Sequence, residues 1–281
     1  MSKKPIIKTS KIPPALVRAG EIGKSILGKT RSFDQINWPG VPYGNHPNQK
    51  MELYELNDLC PRDGWPTVLL IHGGGWVEGG PEQFNLLAPL MVKQGIMACS
   101  IRYRLAVDNH WSKALEDVEK AVDFVLSQQV DPNRIALWGE SAGGHLALLY
   151  ALKHPDRIKC VVGVGTPIDL TTTPRDLTED VFLETELYEA SPFHKTGPLP
   201  QTLLLHGTLD SVVPFKQAEQ FHHKRPQETE ILSVDGGNHT VLWPPVKAYR
   251  ARKKAVKWLV QSMDLPHRGS KWKRRKKKKK Q

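Results

Sequence analysis

The sequence predicts an α/β domain: a mainly parallel sheet with helices on both faces. Short apolar runs alternate along the chain with stretches of helical periodicity. The chain's 281 residues suit one large domain better than two. Two glycine-rich segments directly follow predicted buried strands, where an open parallel sheet builds its ligand site.

The elements follow in order. Residues 1–40 are basic and punctuated by Pro and Gly, and are expected to form a loosely attached arm with one short amphipathic helix over 15–27. Residues 51–56 alternate and predict a strand. Residues 67–71, bounded by Pro66 and glycines, predict a buried one. Helical spacing appears over 84–92 and over 112–126, where Ala114, Leu115, Val118, Ala121, Val122 and Val125 share a face. Further strands are expected at 96–101, 135–138, 161–164, 202–205 and 231–234, with helices at 142–152 and 246–260. Asp131-Pro132-Asn133 predicts a turn. Residues 166–200, rich in Pro and acids, break the rhythm and predict a short cap or lid over the sheet edge.

Charge is unevenly placed. The net charge is +11, yet residues 32–267 carry 22 basic and 28 acidic residues, a balance of −6. From Arg268 onward there are ten Lys or Arg and no acid. Such a run predicts disorder over 267–281 and salt-sensitive contact with polyanions or an anionic membrane surface, or no partner at all. Three cysteines without regular spacing (Cys60, Cys99 and Cys160) predict reduced thiols, not a disulfide framework. No long apolar run and no secretory leader is apparent, so a cytoplasmic protein is expected. No Cys/His cluster has zinc spacing, and no cofactor is expected.

The chemistry concentrates at four places. Gly139-Glu140-Ser141-Ala142-Gly143 fits a sharp strand-to-helix turn that presents a serine nucleophile, with glycines where side chains would collide. His72-Gly73-Gly74-Gly75-Trp76 follows the 67–71 strand. Its glycines can turn amides toward a reacting carbonyl, so Gly74, Gly75 and Ala142 are the candidate oxyanion donors. It lacks the Lys-Ser/Thr ending of a phosphate loop. Asp210 follows the 202–205 strand, and His239 lies on a Gly-rich loop after the next one. Serine, acid and base in that order complete a relay in which His239 takes the Ser141 proton and Asp210 fixes the imidazole. Asp235 is the alternative acid. His206, on a strand end, is expected to be structural. His72, Trp76, Tyr103 and Glu140 are the expected pocket residues.

Together these motifs resemble the α/β-hydrolase esterases with an H-G-G-G-W oxyanion loop, of the acetyl-esterase and feruloyl-esterase-like kind. These are relatives of the hormone-sensitive-lipase and kynurenine-formamidase groups. The resemblance spans about residues 40–263. It rests on 41–44 with 51–54, on His72 to Trp76, on Tyr103-Arg104-Leu105, on 139–144, and on His206-Gly207 through Asp210 to Pro214 and His239. It implies the α/β-hydrolase fold and hydrolysis of a small ester through an acyl-Ser141 intermediate, with acylated carbohydrates among the possible substrates. Amidase or peptidase activity on the same fold is the alternative. A polyanion- or membrane-binding protein acting through its tail is a reading from another class. Glu52, Arg102 and the 106–110 stretch depart from the family pattern at the rim of the site.

Overall fold

The computed structural model describes residues 35–56, 60–239 and 245–266. The helix expected at 15–27 and the basic tail at 267–281 lie outside them. Eight strands form one sheet in the order β1-β2-β4-β3-β5-β6-β7-β8. They are β1 (Gln35–Pro42), β2 (Lys50–Leu56), β3 (Trp65–Ile71), β4 (Met97–Arg102), β5 (Val130–Glu140), β6 (Cys160–Val164), β7 (Gln201–Gly207) and β8 (Thr229–Val234). β1 and β2 form an antiparallel pair, β2 runs antiparallel to β4, and the rest of the sheet is parallel.

Each face has its own core. On one face pack α2 (Ser112–Leu126), α3 (Ala142–Lys153) and α5 (Lys216–Lys224). On the other pack α1 (Ala88–Val92) and α6 (Pro245–Ser262). α4 (Leu187–Ala190) lies in the 166–200 segment. β3 is buried along its whole length, as a central strand covered on both sides must be. α2 buries Ala114, Val118, Ala121, Val122 and Val125, as its periodicity predicts, while Leu115 is half-buried. The same face buries Asp117, whose carboxylate accepts hydrogen bonds from the Arg104 amide (2.8 Å), the Arg104 guanidinium and Gln49. A buried carboxylate is tolerated only when paired this way. That pairing explains Arg104 in the Tyr103-Arg104-Leu105 motif.

Three expectations need correction. β1 begins at Gln35, inside the stretch read as an arm, so the sheet starts earlier. An edge strand tolerates Pro39-Gly40 because the β1–β2 register shifts between Trp38 and Val41 and absorbs them. Residues 131–133 are not a turn between elements. They bulge from β5, whose pairing with β3 slips between Trp65/Val130 and Thr67/Ile135, and the Asp131 carboxylate accepts the Asn133 amide. The helix expected over 84–92 is broken into a 3-10 turn at Pro81–Phe84 and α1, which tolerates Pro89 only near its start. The 166–200 segment folds as four short helical pieces that lean over the carboxyl edge of the sheet.

Candidate active site

Ser141 sits between the end of β5 and the start of α3 with φ 50° and ψ −119°, a region that costs a non-glycine residue about 1–3 kcal/mol. The surroundings hold it there. Its amide donates to Val164 O (2.8 Å), and its carbonyl accepts the His145 amide. A β-carbon at Gly143 would lie 2.0 Å from Ile71 O, and one at Gly139 2.2 Å from Gly143 O. Both contacts are with backbone, one on β3 and one in the first turn of α3, so only glycine lets the turn close.

The relay is assembled from three strand ends. His239 Nε2 lies 2.9 Å from Ser141 Oγ, and His239 Nδ1 lies 2.8 Å from Asp210 Oδ2. Asp210 Oδ1 accepts the amides of Val212 (2.9 Å) and Val213 (2.8 Å). Burial raises the carboxyl pKa, but hydrogen bonds from His206 and His239, the His239 charge and the Val213 amide outweigh it, and Asp210 stays well below the usual carboxylate range. Asp235 is on the outside, paired with Lys247 (3.3 Å), and is not the acid. His206 is more than a structural residue: its Nε2 lies 3.1 Å from Asp210 Oδ2 and 2.9 Å from Val213 O. The His239 loop is tied down by Leu209 N to Gly237 O (2.9 Å), Thr208 N to Val234 O (3.0 Å) and Gly236 N to Thr208 Oγ1 (2.9 Å).

Gly74 and Gly75 both have positive φ (115° and 58°), and so does Trp76 (65°). Gly73 packs against the nucleophile: a β-carbon there would meet Ser141 Cβ at 3.2 Å. Among the described residues no acceptor takes the amides of Gly74, Gly75 or Ala142. Unmet amides beside a nucleophile are suited to a developing oxyanion. The loop is braced by a residue that sequence reasoning missed, Gln83, whose Oε1 accepts the Gly73 amide (3.1 Å).

The BD-FAE family profile matches residues 60–225, more than half of the chain, and takes in the oxyanion loop, Ser141 and Asp210. The chain belongs to the BD-FAE family. Esterase LipC of Mycobacterium tuberculosis is 28% identical over 251 residues, covering 76% of this chain and 62% of LipC. A probable isoprenylcysteine alpha-carbonyl methylesterase of Oryza sativa subsp. japonica is 28% identical over 238 residues, covering 71% and 57%. The chain thus spans about three fifths of the length of these curated relatives. Among solved structures, a truncated carbohydrate esterase from gut microbiota superposes with a TM-score of 0.72 at 18% identity, covering 84% of this chain and 99% of that one. Esterase 2 of Thermogutta terrifontis superposes with a TM-score of 0.69 at 23% identity, covering 84% and 95%. At these identities the superpositions establish the α/β-hydrolase fold that the BD-FAE match and the sheet order share.

In this BD-FAE domain Ser141 and His239 open into a cavity of about 1010 Å³. One wall comes from the 166–200 segment and the Asp210 loop (Pro167, Leu177, Val181, Val213). The other comes from α1, α6 and the turn before α1 (Leu86, Leu90, Tyr249, Arg252). Trp76 and Glu140 line it as expected. His72 and Tyr103 do not: both are fully buried and stacked at 4.1 Å, with the Tyr103 hydroxyl donating to His72 O (3.0 Å). They buttress the BD-FAE oxyanion loop from behind. Trp76 is fixed by its indole N–H to His145 Nδ1 (3.2 Å), by edge contact with Phe182, and by its carbonyl, which accepts the Ala106 amide.

His145 is buried. Its Nε2 donates to Ala190 O (2.7 Å) and its Nδ1 accepts from Trp76, so it must be neutral. Burial pushes its pKa down to about 4, and that of His72 likewise to about 4. An unfolded histidine titrates near 6.5. As pH falls from there to 4 the unfolded chain takes up protons that the folded one refuses, so stability falls by up to roughly 3 kcal/mol per histidine and then levels off. Asp210, depressed in the folded state, keeps its stabilising contribution throughout that window. The urea midpoint should drop between pH 7 and 4.5, and the drop should be smaller in His145→Asn. An unchanged midpoint in the wild type would contradict the neutral, buried histidines.

Arg252 of α6 was not legible in the sequence. It forms a two-pronged ion pair with Glu140, the residue before the nucleophile, with Nη2 3.1 Å from Oε2. Burial lowers the Arg252 pKa and the Glu140 carboxylate raises it; the carboxylate dominates. Side-chain exposures are 15% for Arg252 and 9% for Glu140, so removing one partner strands a nearly buried charge. Arg252→Ala is expected to cost about 3–5 kcal/mol in chemical unfolding, while the double variant Glu140→Gln/Arg252→Met should recover most of it. If the double variant lost as much as the two single variants together, the pair would not be the cause.

Proposed function

We propose that the chain is a serine ester hydrolase that cleaves small carboxylic esters through an acyl-Ser141 intermediate. The observation that carries this reading is the continuous Ser141–His239–Asp210 relay opening into a cavity beside unmet backbone amides. His239 Nε2 takes the Oγ proton as Oγ bonds to the ester carbonyl carbon. The carbonyl electron pair moves onto oxygen, where the amides of Gly74, Gly75 and Ala142 receive it, each donor lowering the barrier by about 2.7–4 kcal/mol. The intermediate collapses, the alcohol leaves with the proton from His239, and water, deprotonated by His239, releases the acid and restores Ser141. Asp210, held ionised, keeps Nδ1–H on His239 and stabilises the imidazolium.

The names of the relatives support ester chemistry: LipC and the rice protein are named as esterases, and Thermogutta terrifontis esterase 2 has been solved with propionate and with butyrate bound. An acylated carbohydrate fits the carbohydrate-esterase neighbour. Free buried thiols at Cys99 and Cys160 support a cytoplasmic setting. Among the described residues no helix is long and apolar enough to cross a membrane.

Hydrolysis of aryl esters from acetyl to decanoyl, by wild type and Ser141→Ala, tests the reading. Turnover greatest on short acyl chains and absent from the variant is expected. A folded wild type no faster than Ser141→Ala would overturn it, and formyl amides would then be the substrates to try.

A further inference from the structure

The solvent face of α6 differs in charge from the rest of the body. The helix contains no acid, and Lys247, Arg250, Lys253, Lys254 and Lys257 are all exposed on it. Lys247 is paired with Asp235, and Lys253 lies over the Tyr249 ring at 5.5 Å. Arg250, Lys254 and Lys257 have no ion-pair partner among the described residues. This concentration occurs on a body, residues 32–267, whose net charge is −6. The chain then continues past α6 into a segment with ten more cations.

The same end of the molecule exposes apolar side chains. Leu86 is 83% exposed, Val246 60% and Tyr249 55%. Leu86 and Tyr249 lie on the rim of the Ser141 cavity, and Val246 is one turn before Tyr249 on α6. The helical spacing of 246, 249, 250, 253 and 257 puts apolar tip and cations on one stripe. Cations flanking exposed Leu, Val and Tyr suit a surface with both negative headgroups and an apolar layer. A nucleic-acid backbone would satisfy the charges and leave the apolar residues in water.

We propose that this α6 face docks on an anionic lipid surface and turns the mouth of the cavity toward it. Esters whose apolar alcohol portion stays in the lipid would then reach Ser141 without fully entering water. The docking stands on the surface alone; the substrate class rests on the ester-hydrolase reading above.

The test uses the full chain with phosphatidylcholine vesicles, with and without phosphatidylserine. An environment-sensitive fluorophore is placed on Val246→Cys in a Cys60→Ser background, and as a control on Lys120→Cys, exposed on α2 across the sheet. Phosphatidylserine vesicles should blue-shift the probe at 246 and leave the probe at 120 unchanged. The triple variant Arg250→Glu/Lys254→Glu/Lys257→Glu should lose that shift and partition onto vesicles on the order of a hundredfold less. It should keep wild-type turnover of a soluble aryl ester and lose turnover of a vesicle-held one. Sedimentation with vesicles but no shift at 246 would mean that the tail tethers the protein without the face, and would overturn the proposal. So would equal shifts at both positions, or binding that the triple variant retains. The fluorescence reads docking without turnover, so inactivity on all esters would defeat only the substrate class.

Discussion

Ser141→Ala is expected to lower kcat on aryl esters on the order of 10⁶-fold, leaving only what the cavity and the oxyanion amides supply without a nucleophile. The size of the loss follows from geometry. Ser141 Oγ is held 2.9 Å from His239 Nε2, so proton removal needs no rearrangement. The same position stores strain, with Ser141 at φ 50°. Ser141→Gly should therefore be inactive and also raise stability by about 1 kcal/mol, because glycine adopts that backbone without penalty. Both effects would be read from one purified variant by kinetics and urea unfolding. Activity above a thousandth of wild type in Ser141→Ala would place the nucleophile elsewhere.

Asp210→Asn is expected to lower kcat on the order of 10⁴-fold with little change in KM. The carboxylate accepts from four donors: His239, His206 and the amides of Val212 and Val213. An amide side chain offers one oxygen. If that oxygen faces the two backbone amides, its NH₂ faces His239 and forces the ring to carry its proton on Nε2, where it cannot accept the Ser141 proton. If it faces the histidines, its NH₂ confronts two backbone donors and the turn at 210–213 loosens. Asp235→Asn is the control and should be fully active, since Asp235 is exposed and paired with Lys247. A reversed outcome, with Asp235→Asn inactive and Asp210→Asn active, would move the acid to the other loop.

What could be read in the sequence was local. The nucleophile turn and the oxyanion loop are each written in five adjacent residues, because steric demands on a tight backbone act between neighbours. The acid and base were legible because parallel strands end at the same sheet edge, so Asp210 after β7 and His239 after β8 arrive side by side. His72 and Tyr103 were misread as pocket residues: adjacency to the glycine loop does not reveal which side of it a ring occupies, and the stacked pair lies behind it. Arg252 was invisible because its partner is 112 positions away and one more exposed-looking Arg on a basic helix carries no local signal. β1 was missed because Pro39-Gly40 masked an edge strand that a register shift accommodates.

The 166–200 segment is fastened at its two ends, and part of the stretch between them turns its side chains to the cavity. Gln217, buried, accepts the amides of Ile168 and Asp169 and donates to Asp169 O and Thr173 Oγ1. Ser191 accepts the Leu170 amide, and Ala190 is held by His145. Between these anchors Asp176, Leu177, Asp180 and Val181 face the cavity, while Thr178, Phe182 and Leu187 are buried and hold the segment down. These four side chains and the Ser141 relay thus lie on separate stretches of chain. A library randomised at those four positions should exchange one ester preference for another while the relay and the fold stay intact, which makes this segment the natural place for drift in descent and for redesign at the bench.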